Sequence, residues 1–253
     1  MPHSLDSLQC LTEKLQKATK ETARMQNELN SFFELCPDML VIAENGIFKR
    51  VNAATALILG YSEKELLNTP YIKFVHPNDV EATMRETNSI VHGQMCLNFK
   101  NRYRCKDGTY KWIEWKAAAA GGDKTIYACG RDITIHKETS EKFELAFHYA
   151  PIGMALVSTS GKWLKVNDVL CKIVGYSRDE LLNTTFQAIT HPEDLEMDLK
   201  EMFKVLSGET NGYNITKRYI RKDGGIVQVD LNVIGIQNAI NETQYFISHI
   251  MVK

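Results

Sequence analysis

One short motif, which occurs twice in the sequence, carries residues suited to metal binding or proton transfer. His76-Pro77-Asn78-Asp79 recurs as His191-Pro192-Glu193-Asp194, so an imidazole and a carboxylate lie three residues apart in both places. A metal site needs further ligands, and neither histidine has a second His or Cys at a helical or CxxC spacing. Each aspartate falls in the predicted first turn of a helix, where the helix dipole favours a carboxylate. We therefore interpret both motifs as structural and predict no metal site.

The rest of the chain shows no arrangement typical of catalytic residues. There is no Ser-His-Asp or Cys-His grouping, no Walker-type phosphate loop and no GxGxxG motif. The carboxylates are scattered, without the paired spacing of a general acid and base. The six cysteines include no CxxC pair, which favours reduced thiols over a disulfide framework. The sequence predicts a non-enzymatic chain with no catalytic residues.

The two histidine motifs end a much longer duplication. The stretch Val51–Asp79 returns as Val166–Asp194 at a separation of 115 positions, and Lys106-Asp107-Gly108 returns as Lys222-Asp223-Gly224 at 116. A constant period over this length indicates two copies of one domain. Each copy is far longer than a solenoid repeat, which usually has about 20–50 residues.

Turn and cap signals divide each copy into the same series of elements. Two short strands are followed by several short helices, the first opened by Asn52, and then by three strands separated by turns at 106–108 and 121–123. This order predicts an α+β fold in which a five-stranded antiparallel sheet carries the helices on one face. A small ligand would lie in the concave space between sheet and helices.

A long helix precedes the first copy. Apolar or small residues recur at alternating spacings of three and four until Pro37 ends the pattern. A stripe this narrow is typical of a coiled-coil seam, so we predict a homodimer with parallel helices. The alternative is a helix that packs along its own domain. The seam consists of Leu8, Leu11, Leu15, Ala18, Thr22, Met25, Leu29 and Phe32.

The motifs of each copy, taken in order, resemble the PAS sensor family. They are V-N-x7-G-Y-S-x-x-E-L-L, H-P-x-D, R-Y-x-x-K-D-G, W-x-E-W and R-D-I-T, and the likeness is greatest to the subtype common in bacterial histidine kinases and diguanylate cyclases. The spacing described above predicts the coiled-coil helix at 1–36. The resemblance implies a first PAS domain at 37–134, a connecting helix at 135–149 and a second PAS domain at 150–253. It also implies a role in signal transduction, such as a two-component system, with the effector module outside this chain.

Strand alternation, aligned with the light-sensing members of that family, assigns inner-face residues that would contact a ligand. These candidates are Tyr103, Ile113 and Trp115 in the first copy, and Tyr219, Val229 and Leu231 in the second. Phe74 and Ile189 would close the same space from the helical side. Trp112 and Gln228 would then point outward, toward the connecting helix or a partner. The alternative is that both interiors are simply filled cores, in which case the chain would be an interaction scaffold.

The resemblance also frames the choice of cofactor, which the sequence leaves unknown. Haem needs an axial histidine on the helix that faces the sheet, and none occurs within 80–91 or 193–206. The cysteinyl-flavin motif N-C-R-F-L-Q has Ile72 and Gln187 where its reactive cysteine would stand, which argues against that photocycle. A non-covalent flavin stays open, because aromatic residues are available.

The end of the first copy predicts a route for signal relay. Asp132-Ile133-Thr134 resembles the terminal motif of PAS domains, which leads into a helix. Asp132 would pair with a basic residue of that helix and so couple it to the sheet, with Thr134 beside it. The alternative is an ordinary carboxylate placed where the helix dipole favours it.

Composition narrows the partners. The net charge of −1 argues against a nucleic-acid surface. No run approaches the roughly 18 apolar residues of a membrane span, and the N-terminus lacks the apolar stretch of a secretory signal. We therefore predict a cytoplasmic chain whose partners are a second copy of itself and an effector domain.

Overall fold

The computed structural model describes the backbone of residues 3–67, 69–120 and 124–253, and the side chains of those ranges from Lys14 onward. The chain forms two compact units, Met1–Thr139 (unit 1) and Ser140–Lys253 (unit 2). The predicted turn at 121–123 and the side chains of Leu8 and Leu11 lie outside the described residues.

Unit 1 follows the predicted order of elements. Its elements are α1 (His3–Leu35), β1 (Met39–Glu44), β2 (Ile47–Val51), α2 (Ala53–Leu59), α3 (Glu63–Leu67), 3-10 turns at Tyr71–Lys73 and Pro77–Asp79, α4 (Val80–Val91), β3 (Cys96–Arg104), β4 (Tyr110–Ala119) and β5 (Thr125–Asp132). The next helix, α5 (Thr134–Tyr149), begins in unit 1 and ends in unit 2.

The five strands of unit 1 form one antiparallel sheet in the order β2-β1-β5-β4-β3. Alternate residues of each strand are buried, for example Ile113, Trp115 and Ala117 on β4. Leu59 of α2 and Ile90 of α4 belong to the same buried cluster. The α+β fold predicted from the sequence is therefore confirmed for this unit.

Unit 2 repeats this architecture. Its elements are β6 (Gly153–Ser158), β7 (Trp163–Val166), α6 (Asp168–Val174), α7 (Arg178–Leu182), α8 (Phe186–Ile189), α9 (Pro192–Leu206), β8 (Gly212–Ile220), β9 (Ile226–Gln237) and β10 (Thr243–Val252). The sheet order, β7-β6-β10-β9-β8, is equivalent to that of unit 1. The second five-stranded sheet is confirmed as well.

The repeated asparagine after the second strand fixes the same corner in both units. The Asn52 side-chain oxygen accepts hydrogen bonds from the N–H groups of Thr55 and Leu40, and its amide donates to the Cys36 and Asp38 carbonyls. A buried side chain with all these bonds both caps α2 and ties it to the start of β1. Gly60 ends α2 with φ of 74°, a conformation that glycine adopts without strain.

A second repeated device connects a helix cap to the strand turn. Ser62 and Glu65 exchange hydrogen bonds at the start of α3, and Lys106 of the Lys-Asp-Gly turn lies 2.8 Å from the Glu65 carboxylate. These contacts lower the pKa of Glu65 to about 2, with the Lys106 hydrogen bond as the largest cause. Unit 2 has the same arrangement with Ser177, Glu180 and Lys222.

The described part of α1 is exposed to solvent within the single chain. Every side chain from Lys14 to Leu29 is exposed, and Leu15, Met25, Leu29 and Phe32 are each more than half exposed. Contacts with the rest of unit 1 come from the last turn of α1, where Phe33 lies 4.0 Å from the Arg50 guanidinium and Glu34 pairs with Arg50. The alternative of a helix packed along its own domain is therefore wrong for residues 14–29.

Among the described residues, no helix is long and apolar enough to cross a membrane.

Candidate functional site

Unit 1 contains a cavity between the inner face of its sheet and one side of α4. Its volume is about 60 Å3, and the lining is mostly apolar. Thr83, Thr87 and Ile90 of α4 line one side, and Tyr103, Trp115 and Ala117 of the sheet line another. We call this space the unit 1 cavity. It is the concave space that the sequence predicted.

Unit 2 contains a smaller space at the equivalent place, with a volume of about 20 Å3. Trp163, Tyr219 and Leu231 of the sheet line it, together with Asp198 of α9 and Lys217 of β8. We call this space the unit 2 cavity. It has room for about one water molecule, so the second interior is nearly filled.

All eight candidate residues are buried, six on the inner face of a sheet and two on the helical side, but only some of them reach a cavity. Tyr103 and Trp115 line the unit 1 cavity, whereas Phe74 and Ile113 are buried elsewhere in the core. In unit 2, Tyr219 and Leu231 line the cavity, whereas Ile189 and Val229 do not. The inner-face orientation is thus as predicted, and ligand contact by these side chains stays a prediction.

A neutral chain of hydrogen bonds closes one end of the unit 1 cavity. The Trp115 Nε1–H donates to Asn101 Oδ1 at 2.9 Å, and Asn101 Nδ2 donates to Thr83 Oγ1 at 2.9 Å. Thr83 Oγ1 in turn donates to the Asp79 carbonyl. No motif or spacing in the sequence pointed to Asn101 or Thr83. A buried polar residue between alternating apolar ones on β3 was the available signal.

Tyr103 contributes the polar group of the unit 1 cavity that stays unpaired. Its side chain is buried, its ring centroid lies 5.3 Å from that of Trp115, and its hydroxyl makes no hydrogen bond to the described residues. Burial raises the pKa of Tyr103 far above its ordinary value, so the hydroxyl is a neutral donor and acceptor. By contrast, the Tyr71 hydroxyl is paired with Thr87 Oγ1 at 3.1 Å.

Unit 2 buries an ion pair where unit 1 has the neutral chain. Lys217 and Asp198 bond to each other with side chains that are each 1% exposed, and Lys217 Nζ also donates to Thr190 Oγ1. The Tyr213 hydroxyl donates to the other Asp198 oxygen at 2.8 Å. Burial lowers the pKa of Lys217, and the charge of Asp198 opposes that shift. No local sequence pattern predicts this pair, because its members are 19 residues apart.

The repeated histidines have the structural role that the sequence predicted. His76 Nδ1 accepts a hydrogen bond from the Asn78 N–H, and His191 Nδ1 accepts one from the Glu193 N–H. No group of three or more His, Cys, Asp or Glu side chains that could hold a metal ion occurs among the described residues.

The aspartates of the same motifs do more than favour a helix dipole. Asp79 accepts hydrogen bonds from the Arg102 backbone N–H, Nε and Nη2, a bidentate pair that lowers the pKa of Asp79. Asp194 makes the same pair with Arg218. Our interpretation of them as simple first-turn carboxylates was therefore incomplete, because partners 23 and 24 residues away decide their role.

The cavities also test the cofactors that the sequence left open. Neither lining includes a histidine, so no axial ligand for haem faces either space. The unit 1 cavity holds about four water-sized groups, which is too small for the three fused rings of a flavin. The residues present therefore do not fit either group.

The start of the connecting helix is tied to the sheet, but by other partners than predicted. Asp132 pairs with Lys111 of β4 at 2.9 Å, not with a basic residue of α5, and its other oxygen accepts bonds from the N–H and hydroxyl of Thr134. Trp112 on the outer face lies 5.1 Å from the Arg102 guanidinium and 5.2 Å from Lys137 Nζ of α5. The predicted outward direction of Trp112, toward the connecting helix, agrees with this contact.

The fold and the repeated motifs identify the class of protein. The sequence matches the family described as PAS fold over residues 48–127 and again over residues 164–250. The chain belongs to the PAS fold family, with two domains in tandem.

Two relatives of the chain are named as a probable diguanylate cyclase and as a sensor. The probable diguanylate cyclase DgcE of Escherichia coli is 43% identical over 113 residues, which are 45% of this chain and 10% of that protein. The methyl sulfide methyltransferase-associated sensor of Methanosarcina acetivorans is 29% identical over 164 residues, which are 63% of this chain and 16% of that protein. The chain thus spans a tenth and about a sixth of these relatives, and its similarity to them supports a sensory role in signalling.

Solved structures of single PAS domains are similar to about half of the chain. The match to the PAS domain of an HTR-like protein from Haloarcula marismortui covers 47% of this chain and 95% of that domain's chain, with 21% identity and a TM-score of 0.39. A PAS domain from Colwellia psychrerythraea covers 47% and 97%, with 17% identity and a TM-score of 0.42.

Proposed function

We propose that this chain is the sensory and dimerisation region of a signalling protein. Unit 1 binds a small molecule, and the change passes through the flanking helices to an effector module, a histidine kinase or a diguanylate cyclase, outside these residues. The proposal includes a cytoplasmic location, which agrees with the free thiols of Cys36, Cys96, Cys105, Cys129 and Cys171.

The unit 1 cavity and its contact with α4 carry this proposal. A molecule in the cavity would touch both the sheet and Thr83, Thr87 and Ile90 of α4. A ligand shifts a conformational equilibrium when it makes different contacts in the two states. Here the difference would be the position of α4 relative to the sheet.

A series of charged contacts leads from α4 toward α5. Asp79, at the start of α4, holds the Arg102 guanidinium, and this guanidinium lies beside the Trp112 ring. Lys137 of α5 lies beside the same ring. Cations near an aromatic ring contribute about 0.5–1 kcal/mol at exposed sites, enough to favour one position of a helix turn. We propose that Trp112 transmits movement of α4 to α5.

Asp132 and Thr134 form a second connection to the same helix. The Thr134 hydroxyl accepts a hydrogen bond from the backbone N–H of Trp112 and donates one to the Asp132 carboxylate. The first residue of α5 is therefore bonded to both β4 and β5. Lys111 fixes the Asp132 carboxylate. We propose that Asp132 and Thr134 hold the first residue of α5 to the sheet. The contact between Trp112 and Lys137 would then move the rest of the first turn.

The exposed stripe of α1 supports dimerisation. Leu15, Met25, Leu29 and Phe32 keep the alternating spacing of a coiled-coil seam, and their exposure in the single chain leaves them free to pack against a second copy. Leu8 and Leu11 continue the spacing outside the described side chains.

The relay can be tested with a side chain that occupies the cavity permanently. Thr87→Met copies Met202 of unit 2 and should change the hydrogen exchange of the Thr134–Thr139 amides in the full chain. Thr87→Ser keeps the hydroxyl without filling the space and should leave that exchange as in the wild type. The effect of Thr87→Met on this hydrogen exchange should disappear when Trp112→Gln, which copies Gln228 of unit 2, is also present.

Identical exchange in Thr87→Met and the wild type would contradict the relay. That result would favour the second candidate, an interaction scaffold, which the nearly filled interior of unit 2 supports for that unit.

A further inference from the structure

The difference in volume between the two cavities has its source in side-chain size at equivalent positions. In unit 1, Ala43 pairs with Phe48 of β2 and with Ile126 of β5. In unit 2, Val157 pairs with the equivalent residues, Trp163 of β7 and Phe246 of β10, so Ala43 and Val157 occupy equivalent positions. Several equivalent pairs of lining residues have the larger side chain in unit 2, whereas Trp115 of unit 1 is larger than its equivalent, Leu231. Three of the pairs that are larger in unit 2 are Ala43 and Val157, Thr87 and Met202, and Ala117 and Val233.

The volume limits the size of any occupant of unit 1. A cavity of about 60 Å3 has room for about four water-sized groups, whereas one of about 20 Å3 has room for about one. A molecule of about four non-hydrogen atoms therefore fits unit 1 and does not fit unit 2.

The polar groups of the unit 1 cavity limit where a ligand can bond. Trp115, Asn101 and Thr83 satisfy one another, and Tyr71 is paired with Thr87. The hydroxyl of Tyr103 has no partner among the described residues. A ligand would thus form one hydrogen bond and otherwise touch apolar surface.

The charges around the cavity exclude an ionic ligand. Among the lining residues Glu86 is the ionisable carboxylate, and its side chain is partly exposed to solvent. The lining has no basic side chain, so an anion would lose its hydration without a counter-charge. A cation would have to draw the partly solvated Glu86 carboxylate into an apolar space.

We propose that unit 1, and not unit 2, binds an uncharged molecule of about four non-hydrogen atoms that is apolar except for one group bonded to the Tyr103 hydroxyl. Short-chain alcohols, aldehydes and ketones belong to this class. The proposal rests on the proposed function, for which it names the sensing unit and the class of ligand.

The three tryptophans of the chain provide the readout. The Trp115 indole lines the unit 1 cavity, that of Trp163 lines the unit 2 cavity, and that of Trp112 lies on the outer face of the sheet. Titration of the full chain with 1-propanol should shift the Trp115 indole N–H resonance in a saturable way, with a dissociation constant of roughly 0.1–10 mM. The resonances of Trp112 and Trp163 should stay in place, and Trp→Phe variants at these two positions assign the signals.

Matched probes and variants test each part of the proposal. Propylammonium has the size of 1-propanol but carries a charge, and it should not shift the Trp115 signal. Tyr103→Phe should weaken 1-propanol binding roughly three- to tenfold, as the loss of one hydrogen bond predicts. Ala117→Val copies Val233 and should abolish the shift, whereas Val233→Ala should leave it unchanged. Thr87→Met serves the same purpose if Ala117→Val does not fold.

Three results would overturn the proposal. They are equal binding of propylammonium, a shift that persists in both filled-cavity variants, and the absence of a saturable shift at Trp115. Binding of 1-propanol without any effect on α5 exchange would leave the ligand class standing and remove the relay, so the two proposals fail separately.

Discussion

The edge strands β3 and β8 are equivalent in the two units and face the helices α4 and α9. At one equivalent position of these strands, unit 1 buries Asn101 and unit 2 buries Lys217. The facing helix supplies Thr83 in unit 1 and Asp198 in unit 2. The neutral Asn101 thus meets a neutral partner, and the basic Lys217 meets an acidic one. The backbone topology is the same in both units. The comparison shows that this fold accepts either a neutral or an ionic pair at this position, because in each unit the facing helix supplies a partner for the buried strand residue.

The two solutions differ in what they leave room for. The neutral network of unit 1 coexists with the larger cavity, whereas the ion pair of unit 2 lies beside Phe186 and Tyr219, with Lys217 Nζ 4.9 and 4.3 Å from their rings. A buried ion pair is costly to break, since the remaining charge stays desolvated. Unit 2 thus has a nearly filled interior, whereas the interior of unit 1 keeps a space beside its hydrogen-bonded network.

The largest expected effect follows from breaking the ion pair. Asp198→Ala should destabilise unit 2 by about 3–5 kcal/mol, because it leaves the buried Lys217 amine without a counter-charge, with Thr190 as its remaining polar partner. Thr83→Ala, at the equivalent position of unit 1, should cost only about 1–2 kcal/mol. Urea unfolding, followed through the indole N–H signals of Trp163 and Trp115, separates the two units.

A transplant of the unit 1 residues is the control for that result. The double variant Asp198→Thr and Lys217→Asn removes both charges and should recover most of the stability that Asp198→Ala loses. Equal losses in Asp198→Ala and Thr83→Ala would mean that the two interiors are energetically equivalent.

The helices that precede the two sheets, α1 and α5, should also respond differently to loss of a phenylalanine. Phe147 of α5 is buried in unit 2 and lies 5.0 Å from Lys165, whereas Phe33 of α1 is partly exposed beside Arg50. Phe147→Ala should therefore cost about 3 kcal/mol in unit 2, and Phe33→Ala less than about 1 kcal/mol in unit 1. The same unfolding experiment measures both, and equal costs would contradict the difference in packing.

The seam of α1 should affect association and not folding. Leu15→Glu with Leu29→Glu places charges in the proposed dimer contact and should convert the dimer to a monomer in light scattering. The unfolding of both units should stay as in the wild type, because these side chains are exposed in the single chain. An unchanged mass would contradict the coiled-coil dimer.

The smallest expected effect concerns a device that the two units share. The pKa of Glu65 and of Glu180 is lowered to about 2 by their lysine and serine partners. The unfolded value is about 4.3, so the stabilisation is fully present above that pH and is lost as the pH falls toward about 2. Glu65→Gln and Glu180→Gln should reduce the acid dependence of stability by the same amount, each in its own unit. A different reduction in the two units would show that the shared cap is not equivalent.

The sequence by itself determined the local structure of this protein. The repeat gave two domains, and the caps and turns at Asn52, Gly60, Ser62 and Lys106-Asp107-Gly108 marked where elements begin and end. These signals are readable because most of the atoms that satisfy them lie within a few residues. Strand alternation likewise placed Tyr103 and Trp115 on the inner face, because successive side chains of a strand point to opposite sides.

Only the tertiary structure decided which side chains meet and how much space remains between them. The pairing of Asp132 with Lys111, of Asp79 with Arg102 and of Asp198 with Lys217 joins residues 19 to 23 positions apart. Such partners depend on strand register and on the position of a helix over the sheet, which no local pattern specifies. The cavity of unit 1 is the small space left after large side chains have packed closely around it. The small side chains of Ala43, Thr87 and Ala117 therefore leave a cavity only because of where the tertiary structure places their neighbours.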